Sequence, residues 1–326
     1  MVRGAELPGT MTAPSQGRSR NFFPLLCAIG AFAILSSTMS KNPVLNPFAE
    51  SLGTPLDFMG VVAAASTLPG VLVSFPAGSL SDVLGKARVL LVSSFVFASA
   101  PFLYVLVSSW WHLVLVRFYH GFATAIFVPV ARAAIVESYR SRRGERISAF
   151  TSSTIIGRSV APFLGGLILS ISVWNYRMIY LAVGAAGVTA FAVTLILLKG
   201  GNGAFNEDSV RASPVASREK RPPRSSWGWK EVIQNSGIMV ASSVEAATYY
   251  CYGALEFFLS GYLKNVAMLD PSLIGVILGM QLALIPVVNP FMGRLSDRAG
   301  RKIPIILGLT VSGLVLTLVS FTTQFL

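Results

Sequence analysis

The sequence is poor in charged residues, and this shortage excludes a soluble globule. Only 12% of the 326 residues are Asp, Glu, Lys or Arg, whereas 53% are hydrophobic. A soluble domain carries about 25% charged residues, because polar groups must cover its surface. A lipid bilayer supplies the apolar solvent that this composition needs. The sequence therefore predicts an all-α membrane protein.

Reactive and metal-binding residue types are also scarce. The two cysteines, Cys27 and Cys251, lie inside apolar stretches, which is typical of small core residues and not of a disulfide framework or a thiolate metal site. The two histidines, His112 and His120, are eight residues apart on one predicted helix, too far for one metal ion. The sequence shows no phosphate-binding glycine loop, catalytic triad or metal cluster. We therefore expect no enzyme, no ATP-driven protein and no cofactor.

Long hydrophobic runs are abundant. A run of about twenty residues crosses a hydrocarbon core of ~30 Å at about 1.5 Å per residue. No convincing cleavage site follows the first run, so we expect it to be retained as an anchor. The nine runs cover 22–40, 58–77, 89–109, 111–136, 147–173, 177–198, 236–262, 272–292 and 303–324.

One segment interrupts this pattern and divides the chain. Residues 199–231 are rich in Gly, Ser, Pro and Arg, and such a composition cannot bury enough apolar area to fold. The predicted domains are a cytoplasmic N-terminal tail (1–21), a six-helix N-terminal bundle (22–198), a cytoplasmic linker (199–231) and a partial C-terminal bundle of three helices (232–326).

The basic residues predict the orientation of the spans. With the N-terminus in the cytoplasm, twenty of the 26 Lys and Arg residues fall in cytoplasmic segments. Only Lys41, Arg177 and Lys264 then lie outside, which is a strong positive-inside bias. Because the basic residues lie mostly between the apolar runs and are not gathered on one face, they do not form a nucleic-acid surface. We expect a multi-pass protein of the inner or plasma membrane.

An internal repeat predicts two related halves. The segment from Gly78 to Lys86, GSLSDVLGK, recurs 215 residues later from Gly293 to Arg301 as GRLSDRAGR. Each copy lies between the second and third spans of its own half. Duplicated bundles of this kind place a binding site between the halves, near the bilayer midplane.

The repeated segment resembles the signature of the major facilitator superfamily, G-x-L-x-D-x-x-G followed by basic residues. The resemblance implies the major facilitator fold, in which this loop stabilises one conformation at the cytoplasmic side. Because the family has twelve helices, we expect a chain truncated after helix 9. The implied conformational latch comprises Gly78, Asp82, Gly85 and Arg88 in the first copy and Gly293, Asp297, Gly300 and Arg301 in the second.

Two further segments of the first half resemble family motifs. Arg117 to Gly121, RFYHG, is similar to R-x-x-x-G, in which a membrane arginine is linked to proton transfer. Gly157 to Gly166, GRSVAPFLGG, is similar to a pattern of drug:proton antiporters, with Ala161 where glycine is usual. Small residues four apart also permit close helix packing without any other role. The implied helix-packing motif comprises Gly157, Pro162, Gly165 and Gly166.

Ionisable residues inside the spans are candidates for a substrate and proton pathway. Even lenient scales give a cost of at least ~2.5 kcal/mol for such a charge, so it usually faces a cavity or a partner. In the seventh span Glu245, Tyr249, Tyr252 and Glu256 form one stripe at helical spacing. We favour Glu245 as the proton site; alternatively, the glutamates pair with Lys264 or an arginine. The candidates are Arg117, His120, Arg132, Arg158, Glu245, Tyr249, Tyr252, Glu256, Gln281 and Asn289.

These observations leave three hypotheses. The leading one is a monomeric secondary transporter that exports a small solute by proton antiport through alternating access, with the lipid bilayer, a small molecule and protons as partners. The second is uptake or exchange of an organic anion, which the membrane arginines favour. The third, from another class, is a non-transporting membrane receptor or an inactive truncated remnant.

Overall fold

The chain is α-helical, as predicted. The computed structural model describes residues 21–73, 84–139, 142–200, 233–300 and 302–322, and no strand occurs in these ranges. In lipid, backbone N–H and C=O groups must pair within their own segment, and a helix achieves this. The helices are α1 (Phe22–Met39), α2 (Leu45–Ser51), α3 (Leu56–Ala64), α4 (Lys86–Val105), α5 (Trp110–Ser138), α6 (Arg143–Ile171), α7 (Tyr176–Gly200), α8 (Ser236–Asn265), α9 (Pro271–Ala299) and α10 (Lys302–Thr322).

In the part of the chain that the structure describes, each of the nine predicted spans overlaps a helix. The second corresponds to Leu56–Val73, of which α3 is the first part. Within the described ranges, seven helices are long and apolar enough to cross a membrane. The polar stripe of α8 makes that helix less apolar than these seven. The helix α10 contributes a shorter apolar stretch, Lys302–Val315.

The short helix α2 was not predicted. Its residues Leu45, Phe48 and Ala49 are buried, so it belongs to the core and is not an exposed connection. Seven residues are too few to show helical periodicity in the sequence. The helix therefore fills a loop that the sequence analysis left without structure.

The two ends of the bundle differ in character. The basic end is defined by Lys86, Arg143 and Arg146, and the tryptophan end by Trp110 and Trp174. The first half, α1–α7, contains one hydrophobic cluster around Leu26, Phe127 and Phe150 near the basic end. A second cluster around Met39, Phe48 and Tyr180 fills the tryptophan end, and it includes Phe257 of α8. The second half, α8–α10, is thus packed onto the first at the tryptophan end.

The glycine-rich motif of α6 packs against two other helices. Gly157 lies against the Ala31 carbonyl of α1, and Gly165 faces Met39 and Pro43. On the adjacent face, a Cβ at Gly166 would lie 2.7 Å from Gly275 Cα of α9. The Pro162 carbonyl contacts Gly275 as well. The residues of the motif therefore bring α6 into backbone contact with α1 and with α9.

The predicted latch is described only in part. Gly85 precedes α4 with φ 85°, and Gly300 follows α9 with φ 80°, a backbone conformation that residues other than glycine rarely adopt. Arg88 is exposed at the start of α4. Gly78, Asp82, Arg301 and the linker from 201 to 231 lie outside the described residues. The side-chain placements of Asn289, Gly293 and Asp297 lie outside them too.

Candidate functional site between the two halves

Between the halves, α6 packs against α9 and α8 contacts α2. The space between α6 and α8 is called the cleft below. Arg158 of α6 is exposed. Its position on the helix lies between the residues that face α1 and those that face α9. Tyr252 of α8 is within electrostatic range of both Arg158 and Glu256. The structure therefore brings Arg158 near the polar stripe of α8, across the cleft.

The predicted stripe on α8 changes in exposure along the helix. Glu245 and Tyr249 are exposed, whereas Tyr252 and Glu256 are half-buried. Glu245 has no hydrogen bond or ion pair in the part of the chain that the structure describes. The stripe is thus open toward the basic end and covered toward the tryptophan end. Gln281 of α9 is half-buried.

Glu256 is held by the segment that follows α1. Lys41 Nζ donates to Glu256 Oε2 at 2.7 Å, and Asn42 Nδ2 donates to Oε1 at 3.0 Å. Sequence analysis offered Lys264 or an arginine as partner, and for Glu256 that assignment is wrong. Lys264 instead lies over the Trp174 ring, 4.8 Å from its centroid. A backbone reversal between α1 and α2 places Lys41 opposite α8, which spacing alone does not reveal.

Further polar contacts join the halves at the same end. Asn265 donates to Glu50 at 2.9 Å, and Ser170 donates to Asp270 at 3.0 Å. Asp270 also caps α9, accepting from the Ser272 amide at 2.8 Å. The hydroxyl and amide of Ser272 lower the pKa of Asp270, so its carboxylate stays charged near neutral pH. The hydrogen bonds and ion pairs between described residues of the two halves thus all lie at the tryptophan end.

Arg117 is buried inside the first half, with 2% of its surface exposed. Its Nε donates to the Val62 carbonyl at 2.7 Å, and Nη2 donates to the Ala63 carbonyl at 3.1 Å and to Ser66 Oγ at 2.8 Å. The helix of the second span is interrupted just beyond Ala64, so these carbonyls need donors. Arg117 points away from lipid, and its partners belong to α3 and the turn after it.

His120 lies one turn further along α5, in the same interior. Its Nδ1 is 3.4 Å from Tyr104 Oη, and the Phe97 ring meets it edge-on. Its Nε2 is buried and has no hydrogen-bond partner among the described atoms. Arg132, further along α5, is exposed. The structure therefore places the predicted pathway residues of α5 in two different environments, and His120 away from the α8 stripe.

A cavity of about 410 Å³ lies at the tryptophan end of the first half. Its wall is mainly aromatic, and the Tyr104 and Tyr180 rings stack at 4.4 Å. All of its lining residues belong to the first half, so it is separate from the cleft between the halves. The aromatic lining residues are Phe48, Tyr104, Trp174, Tyr176 and Tyr180.

Sequence analysis missed the first-half residues that close the tryptophan end. Lys41, Asn42 and Glu50 lie between the first two spans, and Lys41 was considered only as a marker of orientation. A usable signal existed, because Glu256, Asn265 and Asp270 are polar residues near the same end of α8 and α9. Complementary groups at matching depth in the two halves could have been paired.

The sequence matches known membrane proteins. The model of the Major Facilitator Superfamily matches residues 26–326. The uncharacterised MFS-type transporter MJ1560 of Methanocaldococcus jannaschii is 24% identical over 87% of this chain and 70% of its own length. The chloramphenicol resistance protein CraA of Acinetobacter baumannii is 25% identical over 51% of this chain. The quinolone resistance protein NorA of Staphylococcus aureus is 26% identical over 48%. These matches cover 40% of CraA and 40% of NorA.

Solved structures share the fold. A bacterial homolog of the human lysosomal transporter Spinster, in an inward-facing and unoccupied conformation, superposes with a TM-score of 0.70 at 16% identity. The superposition covers 89% of this chain and 64% of that one. The D-xylose–proton symporter gives a TM-score of 0.61 at 12% identity, covering 86% of this chain and 70% of its own. At these identities the likeness concerns the fold alone.

Proposed function

The chain belongs to the Major Facilitator Superfamily, and from this premise we propose that it exports a small solute in exchange for protons. It is a multi-pass membrane transport protein and not an enzyme. In the proposed cycle the two halves rock about the cleft, so that its two ends open alternately. The positive-inside bias supports a cytoplasmic N-terminus, which would place the basic end in the cytoplasm.

The observation that carries this proposal is the contact between the halves at the tryptophan end of the described chain. Lys41, Asn42 and Glu256 join the halves at the tryptophan end, whereas Glu245 is exposed toward the basic end. A cleft closed at one end and lined by ionisable residues is the arrangement that alternating access needs.

Export and proton coupling have separate support. CraA and NorA are named as resistance proteins for chloramphenicol and quinolones, which favours export. Glu245 is an exposed carboxylate of α8 without an ion-pair partner in the described chain. We assign the coupling proton to it, because a carboxylate can bind and release a proton.

The test is flux in vesicles that contain the full-length protein. With chloramphenicol and a fluoroquinolone as probes, an inward proton gradient should drive export, and nigericin should abolish it by collapsing the gradient. Glu245→Gln should remove gradient-driven flux but keep probe exchange, because exchange carries no proton. Glu145→Gln, an exposed acid at the start of α6, is the matched control and should transport normally. Equal flux with and without the gradient would contradict proton coupling.

Arg158 favours a second candidate, uptake or exchange of an organic anion. Its guanidinium is exposed on the cleft face and can bind a carboxylate. Under this alternative, Arg158→Gln should abolish exchange of an anionic probe such as benzoate while chloramphenicol flux stays absent. A receptor or inactive remnant would show no flux with any probe.

A further inference from the structure

We infer that the aromatic cavity at the tryptophan end binds a small aromatic carboxylate, with the ring among the aromatic side chains and the carboxylate on Arg177. The inference goes beyond the proposed function, because the residues that line this cavity belong to the first half and lie outside the cleft. The cavity volume of about 410 Å³ lies within the range of pockets that bind small organic molecules, about 300–1,000 Å³.

The inner wall of the cavity presents ring surfaces. Tyr104 and Tyr180 are buried and form a stacked pair, with ring centroids 4.4 Å apart. The Phe48 ring lies beside Tyr180 and Tyr176, at centroid distances of 5.3 and 5.1 Å. The hydroxyls of Tyr180 and Tyr176 already donate to backbone carbonyls, at 3.4 and 3.1 Å. This wall therefore favours an aromatic ring over a polar group.

The mouth of the cavity offers hydrogen-bond donors. Asn175 and Arg177 line it and are exposed. Asn175 Oδ1 accepts from the backbone amides of Arg177 and Met178, at 3.1 and 3.3 Å, so the Asn175 side chain has its Nδ2 donor left for a ligand. Among the described residues, the Arg177 guanidinium has no hydrogen-bond or ion-pair partner. A guanidinium binds a carboxylate through two parallel hydrogen bonds, so a carboxylate fits this mouth.

The charges around the cavity also favour an anion. Arg177 lies at the mouth, and the buried Arg117 is within electrostatic range of both members of the stacked tyrosine pair. The Arg117 guanidinium donates to two carbonyls and one hydroxyl, so no carboxylate neutralises it there. Glu50 is within range of Tyr176 and accepts from Asn265. Two cations against one acid leave the cavity positive.

The turn between α6 and α7 holds this mouth in an unusual conformation. Val173 and Trp174 have φ 52° and 59°, which is rare for residues other than glycine and rarest for β-branched ones. The Trp174 amide donates to the Leu169 carbonyl at 2.9 Å, and the Val173 amide donates to the Ser170 carbonyl at 3.2 Å. These hydrogen bonds keep Trp174 in the cavity wall. Backbone conformations of this kind are concentrated at binding sites, which supports the inference.

The experiment titrates the full-length protein in phosphatidylcholine nanodiscs with a fluorinated naphthoate, and fluorine NMR gives the Kd after subtraction of empty nanodiscs. The corresponding naphthalenemethanol, with the same fluorinated ring and no charge, is the matched probe. We expect saturable binding of the carboxylate with a Kd about tenfold lower than that of the alcohol, because hydrogen bonds to charged groups are stronger than neutral ones.

Three variants locate the probe. Arg177→Gln should raise the Kd of the carboxylate about tenfold and leave that of the alcohol nearly unchanged. Val107→Phe fills part of the cavity without a change in charge, so it should weaken both probes by a similar factor. Arg158→Gln should leave both Kd values unchanged, because Arg158 does not line the cavity.

The inference would be overturned by an absence of saturable binding, or by an unchanged Kd of the carboxylate in Arg177→Gln. Weaker binding in Arg158→Gln with wild-type affinity in Val107→Phe would place the probe in the cleft and would overturn it too. Binding is measured without a proton gradient, so a failure of gradient-driven export would reject the proposed function and leave this inference standing. Absence of naphthoate binding combined with gradient-driven export would do the reverse.

Discussion

At the scale of single residues, Arg117 shows how a cation can be kept in an apolar interior. Its guanidinium donates to two backbone carbonyls and one hydroxyl where the second span is interrupted. Without those donors the carbonyls would be buried and unpaired, which costs more than a typical hydrogen bond contributes. The arginine therefore stabilises the junction of α5 with the second span.

Replacing Arg117 with Met should lower the free energy of unfolding by about 2–4 kcal/mol, because three acceptors lose their donor. The measurement is SDS-induced unfolding in mixed micelles. Arg132→Met, at an exposed position on the same helix, should change the free energy by less than about 0.5 kcal/mol. Normal stability of Arg117→Met combined with lost proton-driven flux would instead support a pathway role.

The depth of a charged residue could be predicted from the sequence, but its partner could not. The predicted spans place Arg117, Arg158 and Glu256 inside helices, because the hydrophobic runs set the length of each helix and the depth of its residues in the bilayer. The partner of Glu256 depends on the reversal after α1, which brings Lys41 to α8 from 215 residues away in the chain. Such a contact follows from tertiary geometry and leaves no periodic signal.

At the scale of helices, the crossing of α6 and α9 depends on two glycines. Gly166 and Gly275 meet backbone to backbone, and a Cβ added at either would lie closer to the other helix than van der Waals contact allows. The long helices were predictable, because the bilayer fixes their length and polarity. The sequence predicted only that the motif of α6 packs closely against another helix. It did not identify α9 as that helix, because the sequence of one helix does not show which helix packs against it.

Gly166→Ala should weaken the closed tryptophan end by about 1–3 kcal/mol, because the added methyl would lie 2.5 Å from the Pro271 carbonyl oxygen and must push α9 away. The distance between spin labels that replace the exposed residues Leu106 and Met268 would report the shift. Gly253→Ala on α8, where no atom lies within 4 Å of the added methyl, is the control and should keep the wild-type distance. The same shift in both variants would point to a general effect of replacing glycine.

At the scale of the whole molecule, the polar contacts between described residues of the two halves are gathered at the tryptophan end. The tryptophan end combines an ion pair, polar contacts and a shared hydrophobic cluster. The α8 stripe becomes more exposed toward the basic end. Under the proposed orientation, water in the cleft should therefore come from the cytoplasm in this conformation.

This asymmetry predicts a labelling pattern for single cysteines in vesicles of known orientation. A membrane-impermeant maleimide should modify Glu245→Cys only from the cytoplasmic side and Met268→Cys only from the opposite side. Ser260→Cys, whose native side chain is 2% exposed, should resist labelling from both sides. Cys27 and Cys251 are replaced beforehand. Modification of Glu245→Cys from the outer side alone would reverse the proposed orientation.

The polar face of α8 also has a consequence for biogenesis. The helix has 30 residues and is about 45 Å long, yet it does not qualify as a membrane span by apolarity. Partitioning from the insertion machinery into lipid is therefore less favourable for α8 than for the more apolar spans. The first part of α9, Pro271–Val288, is strongly apolar and follows after a short connection. If α8 and α9 insert together as a helical hairpin, the apolar surface of α9 would favour the insertion of α8 into the bilayer during translation.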